Sequence, residues 1–140
     1  MIVLDTNVLS EVLKPAPSEG VVRWLAAQET SEVYITAVTQ AEVLYGIEVL
    51  PAGKRRTRLA AIVVEIFAED FGGRILPFDE EAARLFPLIV AGREKAGRPI
   101  SQFDALIAAC VRSRRATLAT RNTTDFEGCG IRTVNPWTEE

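Results

Sequence analysis

The 140 residues carry 19 acids against 16 bases, a net charge of −3, with 48% hydrophobic and 25% charged residues; this is the profile of one ordered domain over residues 1–140, able to bury roughly two-thirds of its unfolded surface, and it argues against a disordered protein and against broad nucleic-acid binding by bulk charge. There is no histidine, which excludes Ser-His-Asp, Cys-His and His-based zinc hydrolysis and leaves acid–base and metal work to carboxylates, hydroxyls, Tyr, Lys and Cys. No apolar run reaches membrane-spanning length, no basic segment and cleavage site open the chain, and Cys110 and Cys129 have neither metal-ligand nor disulfide spacing, so a cytoplasmic location is expected.

The chain opens on Ile2-Val3-Leu4, an apolar run without alternation that reads as an interior strand of a parallel sheet, and it ends abruptly at Asp5-Thr6-Asn7. Val8, Leu9, Val12 and Leu13 then follow helical spacing until Pro15-Ala16-Pro17, and Ser18 caps a second helix with Val21, Val22, Leu25 and Ala26 on one side. Val33-Tyr34-Ile35 is a second strand, and residues 36–50 form a third helix broken by Pro51-Ala52-Gly53. From Lys54 to Phe71, apolar residues at 59, 62, 63, 66, 67 and 71 predict one continuous helix closed by Gly72-Gly73. Residues 74–78 read as a short strand whose Pro77 suits a sheet edge. Asp79 caps a helix carrying Ala82, Leu85, Phe86, Ile89 and Val90, with a kink or break expected at Pro87. Ser101 caps another with Phe103, Leu106, Ile107, Cys110 and Val111 as its buried stripe; strands follow at 116–120 and 131–134. Strands alternating with helices predict an α/β protein, a sheet covered by helices on both faces.

In such sheets ligands bind beyond the carboxyl ends of the strands, which is where Asp5 falls. Asp5 or Asn7 could equally serve only as an N-cap. Glu42 stands three residues after Thr39 and Asp104 three after Ser101, so each could be the acidic half of a capping box. That reading does not explain why both acids lie beside apolar stripes, where an unpaired carboxylate is costly. Three acids brought together from separate segments would repel and call for a cation; all-oxygen ligands select Mg2+ or Mn2+. Thirteen of the sixteen bases are arginine, and the runs Lys54-Arg55-Arg56-Thr57-Arg58 and Arg112-Ser113-Arg114-Arg115 are candidates for phosphate contacts or simply solvated helix ends.

Residues 2–9 with their Asp5-Thr6-Asn7, residues 36–46 with Glu42, residues 103–109 with Asp104, and Ala119-Thr120-Arg121-Asn122 through Asn135-Pro136-Trp137 occur in the order found in a known family. Taken together they resemble the PIN-domain ribonucleases, with VapC- and FitB-type toxins of toxin–antitoxin pairs the nearest in likeness. The resemblance implies a three-layer α/β/α domain around a mostly parallel five-stranded sheet and a Mg2+- or Mn2+-dependent endoribonuclease acting on RNA. It implies a small antitoxin that blocks the site, where a pocket of carboxylates would receive its Arg or Lys, and a homodimer; apolar helical surface near Val8, Val12, Val21, Val22 and residues 54–71 could serve either partner. Asp5 and Asp104 would be metal ligands, Glu42 would hold a water or a second ion, and Thr6, Asn7 and Thr120 would position phosphate or ligand waters. Several relatives carry an Asp where this chain has Asn122, so the fourth acidic role is expected of Asp125, one turn on, with Asn122 as a secondary contact; a cap or Asx turn is the plainer reading of Asp125. Two rivals remain: a receiver-like phosphoacceptor, which would want an adjacent acidic pair after its first strand and a Lys by its last, and a PIN module without catalysis.

Overall fold

The computed structural model describes residues 1–139. Five strands, β1 (Ile2–Leu4), β2 (Val33–Thr36), β3 (Ile75–Leu76), β4 (Thr117–Ala119) and β5 (Arg132–Val134), form one sheet in the order β3-β2-β1-β4-β5. Every pairing is parallel, with Leu4 beside Ala119, Ala119 beside Val134 and Thr36 beside Leu76. The apolar run at the start of the chain is therefore the central strand, and Val3 and Leu4 are both fully buried, one towards each face. β3 and β5 are the edges, and Pro77 lies just beyond the two-residue β3, as its missing N–H favours.

Helices α1 (Thr6–Val12), α2 (Glu19–Ala26), α3 (Ala37–Glu48), α4 (Lys54–Glu65), α5 (Glu80–Lys95) and α6 (Gln102–Ser113) supply the outer layers. One core gathers Val3 and Leu118 against Ala82, Ile89, Ile107, Ala108 and Val111 of α5 and α6; the other gathers Leu4 and Ile35 against Val8, Val21, Val43, Ile47 and Val63 of α1 to α4 and Phe67 just beyond them. Side-chain caps start α2, α3, α5 and α6 at Ser18, Thr36, Asp79 and Ser101. The turn between α1 and α2 is held by buried Glu11, which accepts the Ser18 N–H at 3.0 Å and pairs with Lys14 at 3.0 Å.

Four expectations need correction. The helix from Lys54 runs on to Asp70 but not with one regular period: α4 ends at Glu65 and its continuation Ile66–Asp70 is a π-helical turn, with the Phe71 N–H donating to the Ile66 carbonyl at 3.1 Å. The wider turn still buries Phe67 and Phe71, so packing prevails over regular periodicity. Pro87 does not break α5, since Pro87 and Ala83, whose carbonyl loses its partner, both face solvent, where water can replace the missing bond. Phe103 is 56% exposed although its spacing fits the α6 stripe, because it lies in the first turn, outside the core. Val8 and Val21, which helical spacing alone left available to a partner, are both fully buried.

Two glycines should respond oppositely to alanine. A Cβ at Gly72 would stand 2.6 Å from the Ala68 carbonyl oxygen, whereas one at Gly46 on α3 meets nothing within 4 Å. Gly72→Ala is expected to lower unfolding free energy by about 1–3 kcal/mol and Gly46→Ala to raise it by about 0.5–1 kcal/mol, as read from urea denaturation midpoints.

Candidate active site

The strand ladders set the site. Continuing the β1–β4 register, the Asp5 N–H donates to the Ala119 carbonyl and the Thr120 N–H to the Val134 carbonyl, both at 2.9 Å, so Asp5 and Thr120 emerge side by side. Asp5 is 5% exposed and Thr120 fully buried. Asp5 Oδ1 accepts the Thr6 backbone N–H at 2.8 Å; Oδ2 accepts the Thr120 hydroxyl at 2.8 Å and the Asn7 amide at 3.3 Å. The Asn7 Oδ1 in turn accepts the Arg121 N–H at 3.2 Å. Asp5 does cap α1, as the plainer reading had it, but its second oxygen is also the hub of a network spanning three segments.

Glu42 is not part of a capping box. α3 begins at Thr36, whose hydroxyl accepts the Thr39 N–H at 3.0 Å, so Glu42 lies in the helix's second turn. There its Oε1 accepts the Thr6 hydroxyl at 2.8 Å, and the Thr39 hydroxyl lies 3.1 Å from the same Thr6 oxygen. A hydroxyl has one proton, so Thr6 gives it to Glu42 and accepts from Thr39. Thr6 thereby joins two carboxylates, Asp5 through its backbone and Glu42 through its side chain.

Asp104 stands in the first turn of α6, half-buried, its N–H donated to the Ser101 hydroxyl at 3.2 Å. The capping-box reading is half right here: Ser101 caps the helix, but no bond returns from the Asp104 carboxylate to the Ser101 N–H among the described residues. Asp125 sits exposed on the 3-10 turn Thr123–Phe126, anchored by buried Phe126, and its N–H donates to the Asn122 carbonyl at 3.0 Å. Among the described residues no side-chain bond makes it a cap. Asn122, also exposed, joins the network through its backbone, its N–H donating to the Thr120 hydroxyl at 3.1 Å.

These acids sense one another. Burial pushes the Asp5 carboxyl up to about 6 against the hydrogen bonds from Thr120 and Thr6, and the charges of Asp104 and Glu42 push the same way. Burial also raises Asp104, with the charge of Asp125 adding and Ser101 and Arg93 opposing. Among the described residues no three His, Cys, Asp or Glu side chains gather closely enough to hold an ion unaided. An ion there would draw on hydroxyl, amide and water oxygens as well, which suits Mg2+, an ion that gives up its waters reluctantly. With only oxygen donors at hand, and with carboxylates whose ionisation a cation would favour, the residues fit a hard divalent ion.

One residue that holds the site's surroundings escaped the sequence. Arg93 of α5 is 6% exposed, and its guanidinium donates to the carbonyls of Arg98 at 2.6 Å, Asp125 at 2.7 Å and Glu127 at 3.1 Å. It fixes the turn that carries Asp125 and sets a buried positive charge near Asp104. The available signal was position, since Arg93 falls four residues after Ile89 on the buried stripe.

Acids whose charges bear on one another at the carboxyl ends of a wholly parallel, helix-sandwiched sheet define an acid-centred α/β/α domain. Residues 2–128 match the family model described as "PIN domain", and the chain belongs to that family. It is similar to the VapC ribonuclease Y4jK of Sinorhizobium fredii, 41% identical over 98% of each chain. Toxin FitB of Neisseria gonorrhoeae is 39% identical over 98% of this chain and 99% of its own. In structure, the chain superposes on a chain of the FitAcB crystal structure from Neisseria gonorrhoeae with a TM-score of 0.94 at 39% identity, covering 99% and 100%. A chain of DNA-bound VapBC from Salmonella typhimurium gives 0.79 at 30% identity, covering 96% and 97%.

The raised Asp5 pKa has a measurable consequence. A carboxyl that holds its proton more tightly folded than unfolded gives stability that is fully present below about pH 4 and is lost as pH rises through about 6. Metal-free protein should lose about 2–3 kcal/mol across that window, and Asp5→Asn should flatten the profile. Thermal unfolding in chelator from pH 4 to 8 reads both.

Proposed function

We propose that this chain is a Mg2+- or Mn2+-dependent endoribonuclease, the toxin of a toxin–antitoxin pair, formed as one domain over residues 1–140. The observation that carries the reading is Asp5: a carboxylate almost wholly buried at the end of the central strand, with the charges of Glu42 and Asp104 bearing on it. Such an arrangement is relieved by a cation, and Asp5 and Asp104 are the residues we assign to hold it. When bound, the ion supplies positive charge against the phosphodiester and acidifies a water. Thr120 and Asn7 fix the Asp5 carboxylate. Thr6 holds Glu42 by one oxygen, leaving the other to orient a water and take its proton. Asp125 adds the fourth negative charge from the far side of Asp104, and the Asn122 amide is a secondary contact.

A receiver-like phosphoacceptor is disfavoured, since Thr6 follows Asp5 where that reading wants a second acid. The three acids Asp5, Glu42 and Asp104 speak against a module that only binds. No helix among the described residues is long and apolar enough to cross a membrane. We assign a cytoplasmic location, which two buried free thiols, Cys110 and Cys129, suit.

For the antitoxin, a cavity of about 560 Å3 between α1, α3 and α4, lined by Leu13, Val43, Ile47, Leu59 and Ile62, ends at Thr6 and Glu42. A segment lying there with apolar side chains would deliver an Arg or Lys to the carboxylates. The exposed Leu44 and Tyr45 of α3, Val49 just after it and Leu88 of α5 offer apolar area for a second copy, in keeping with a homodimer.

Asp5→Asn and Asp104→Asn should each cut metal-dependent RNA cleavage at least about a hundredfold, with the fold retained in circular dichroism. Asp125→Asn should raise the metal concentration needed about tenfold yet reach near-normal rates at saturation. Undiminished cleavage by Asp5→Asn would defeat the reading. A large shift in Asn122→Ala with none in Asp125→Asn would exchange the roles of those two residues.

A separate substitution tests the partner. Because a side chain at Gly46 enters open space in the groove, Gly46→Trp should leave cleavage intact while abolishing protection by the antitoxin in co-expression.

A further inference from the structure

Three arginines meet at the end of the sheet opposite the acids. Arg112 and Arg115, from the last turn of α6 and just beyond it, and Arg132, the first residue of β5, line a cavity of about 500 Å3 with Ala116, Gly130 and Ile131. No carboxylate lines it, and among the described residues none of the three guanidiniums takes part in an ion pair. Arg114, between them in sequence, instead pairs with Asp79 at 3.5 Å.

The backbone is shaped around these side chains. Arg115 has φ 52, the left-handed conformation glycine adopts most easily after a helix. Its N–H donates to the Arg112 carbonyl and that of Ala116 to the Val111 carbonyl, both at 3.1 Å. A guanidinium thus stands where glycine would be less strained. Gly130 serves the reverse purpose: a Cβ there would lie 3.1 Å from both Cζ and Nε of Arg112, so its absence lets that guanidinium rest against the backbone.

We propose that this cleft is a phosphate-binding exosite for the RNA substrate, an inference that rests on the ribonuclease reading. Three like charges around one cavity favour an anion between them, and the planar fork of arginine suits phosphate oxygens. A polyanion fits better than a free ion because the cleft lies at the edge strand β5. Roughly 13 Å further along the strand direction, Arg121 follows β4 beside the end of β5, its carbonyl accepting from the Asn135 amide at 3.3 Å; it stacks on Trp137 at 4.9 Å and its N–H donates to Asn7 of the active site. An extended strand of RNA lying along β5 reaches both. With a net charge of −3, the molecule has to attract RNA through such local clusters.

The test is fluorescence anisotropy of a labelled RNA oligonucleotide with the full chain in chelator, so that binding is read without cleavage, over a series of salt concentrations. Arg115→Gly and Arg132→Gln are each expected to weaken binding about three- to tenfold and to reduce the slope of log affinity against log salt by about 0.7. Arg115→Gly relieves the left-handed residue, so its melting temperature should match or exceed the parent's, separating lost binding from lost fold. Cleavage of a trinucleotide, too short to reach the cleft, should not change. Unaltered affinity and slope in both variants would overturn the exosite. Displacement of the RNA by inorganic phosphate in the low millimolar range would overturn the RNA assignment in favour of a free phosphate ion. Failure of the parent to cut any RNA with Mn2+, while the variants still lose affinity, would remove the ribonuclease reading and leave a phosphate site standing.

Discussion

The structure turns on the burial of one carboxylate. Asp5 continues the central strand by a single residue, so its position follows from the β1–β4 ladder and not from a loop. Taking that group out of water is costly, and the surroundings answer with three donors: a backbone N–H, a hydroxyl and an amide. Each donor is itself committed elsewhere. Thr120 extends β4, Thr6 also holds Glu42, and Asn7 also holds Arg121, so the segments after β1 and β4 and the helix α3 are bound to one another through a single acid. Preorganisation of this kind keeps the carboxylates in place without relying on an ion to assemble them.

Much of this was legible because the signals were local. An apolar run without alternation can only be a covered strand, and Ser18, Asp79 and Ser101 are caps of well-defined chemistry; all three start their helices where expected. The misread features depend on which face water reaches, something periodicity does not report. Pro87 is tolerated because it and Ala83 are solvent-facing, and the helix after Lys54 widens at Ile66 so that Phe67 and Phe71 both reach the core. The Thr39–Glu42 spacing imitates a capping box, yet the helix starts three residues earlier and frees Thr39 for the Thr6 hydroxyl.

Charge is distributed along the sheet axis. The acids gather at the carboxyl ends of the strands, while Arg112, Arg115 and Arg132 gather at the amino ends of β4 and β5. A small negative net charge conceals this separation, which composition cannot show because it sums over positions. For a substrate that is itself a polyanion the separation is useful: the bare acids repel phosphate while the arginine cleft attracts it, which favours one orientation of the chain of phosphates.

Arg93 shows how the acid cluster is tolerated at all. Its guanidinium is buried with carbonyls, not carboxylates, as hydrogen-bond partners, and so keeps its full positive charge uncompensated at short range. Its charge acts on Asp104 in opposition to that of Asp125. A carboxylate in the place of those carbonyls would have neutralised the pair and left the cluster to repel itself. By binding the Asp125 and Glu127 carbonyls, Arg93 instead holds the turn that brings the fourth acid near while lowering the cost of bringing it there, so position and charge are supplied by one side chain.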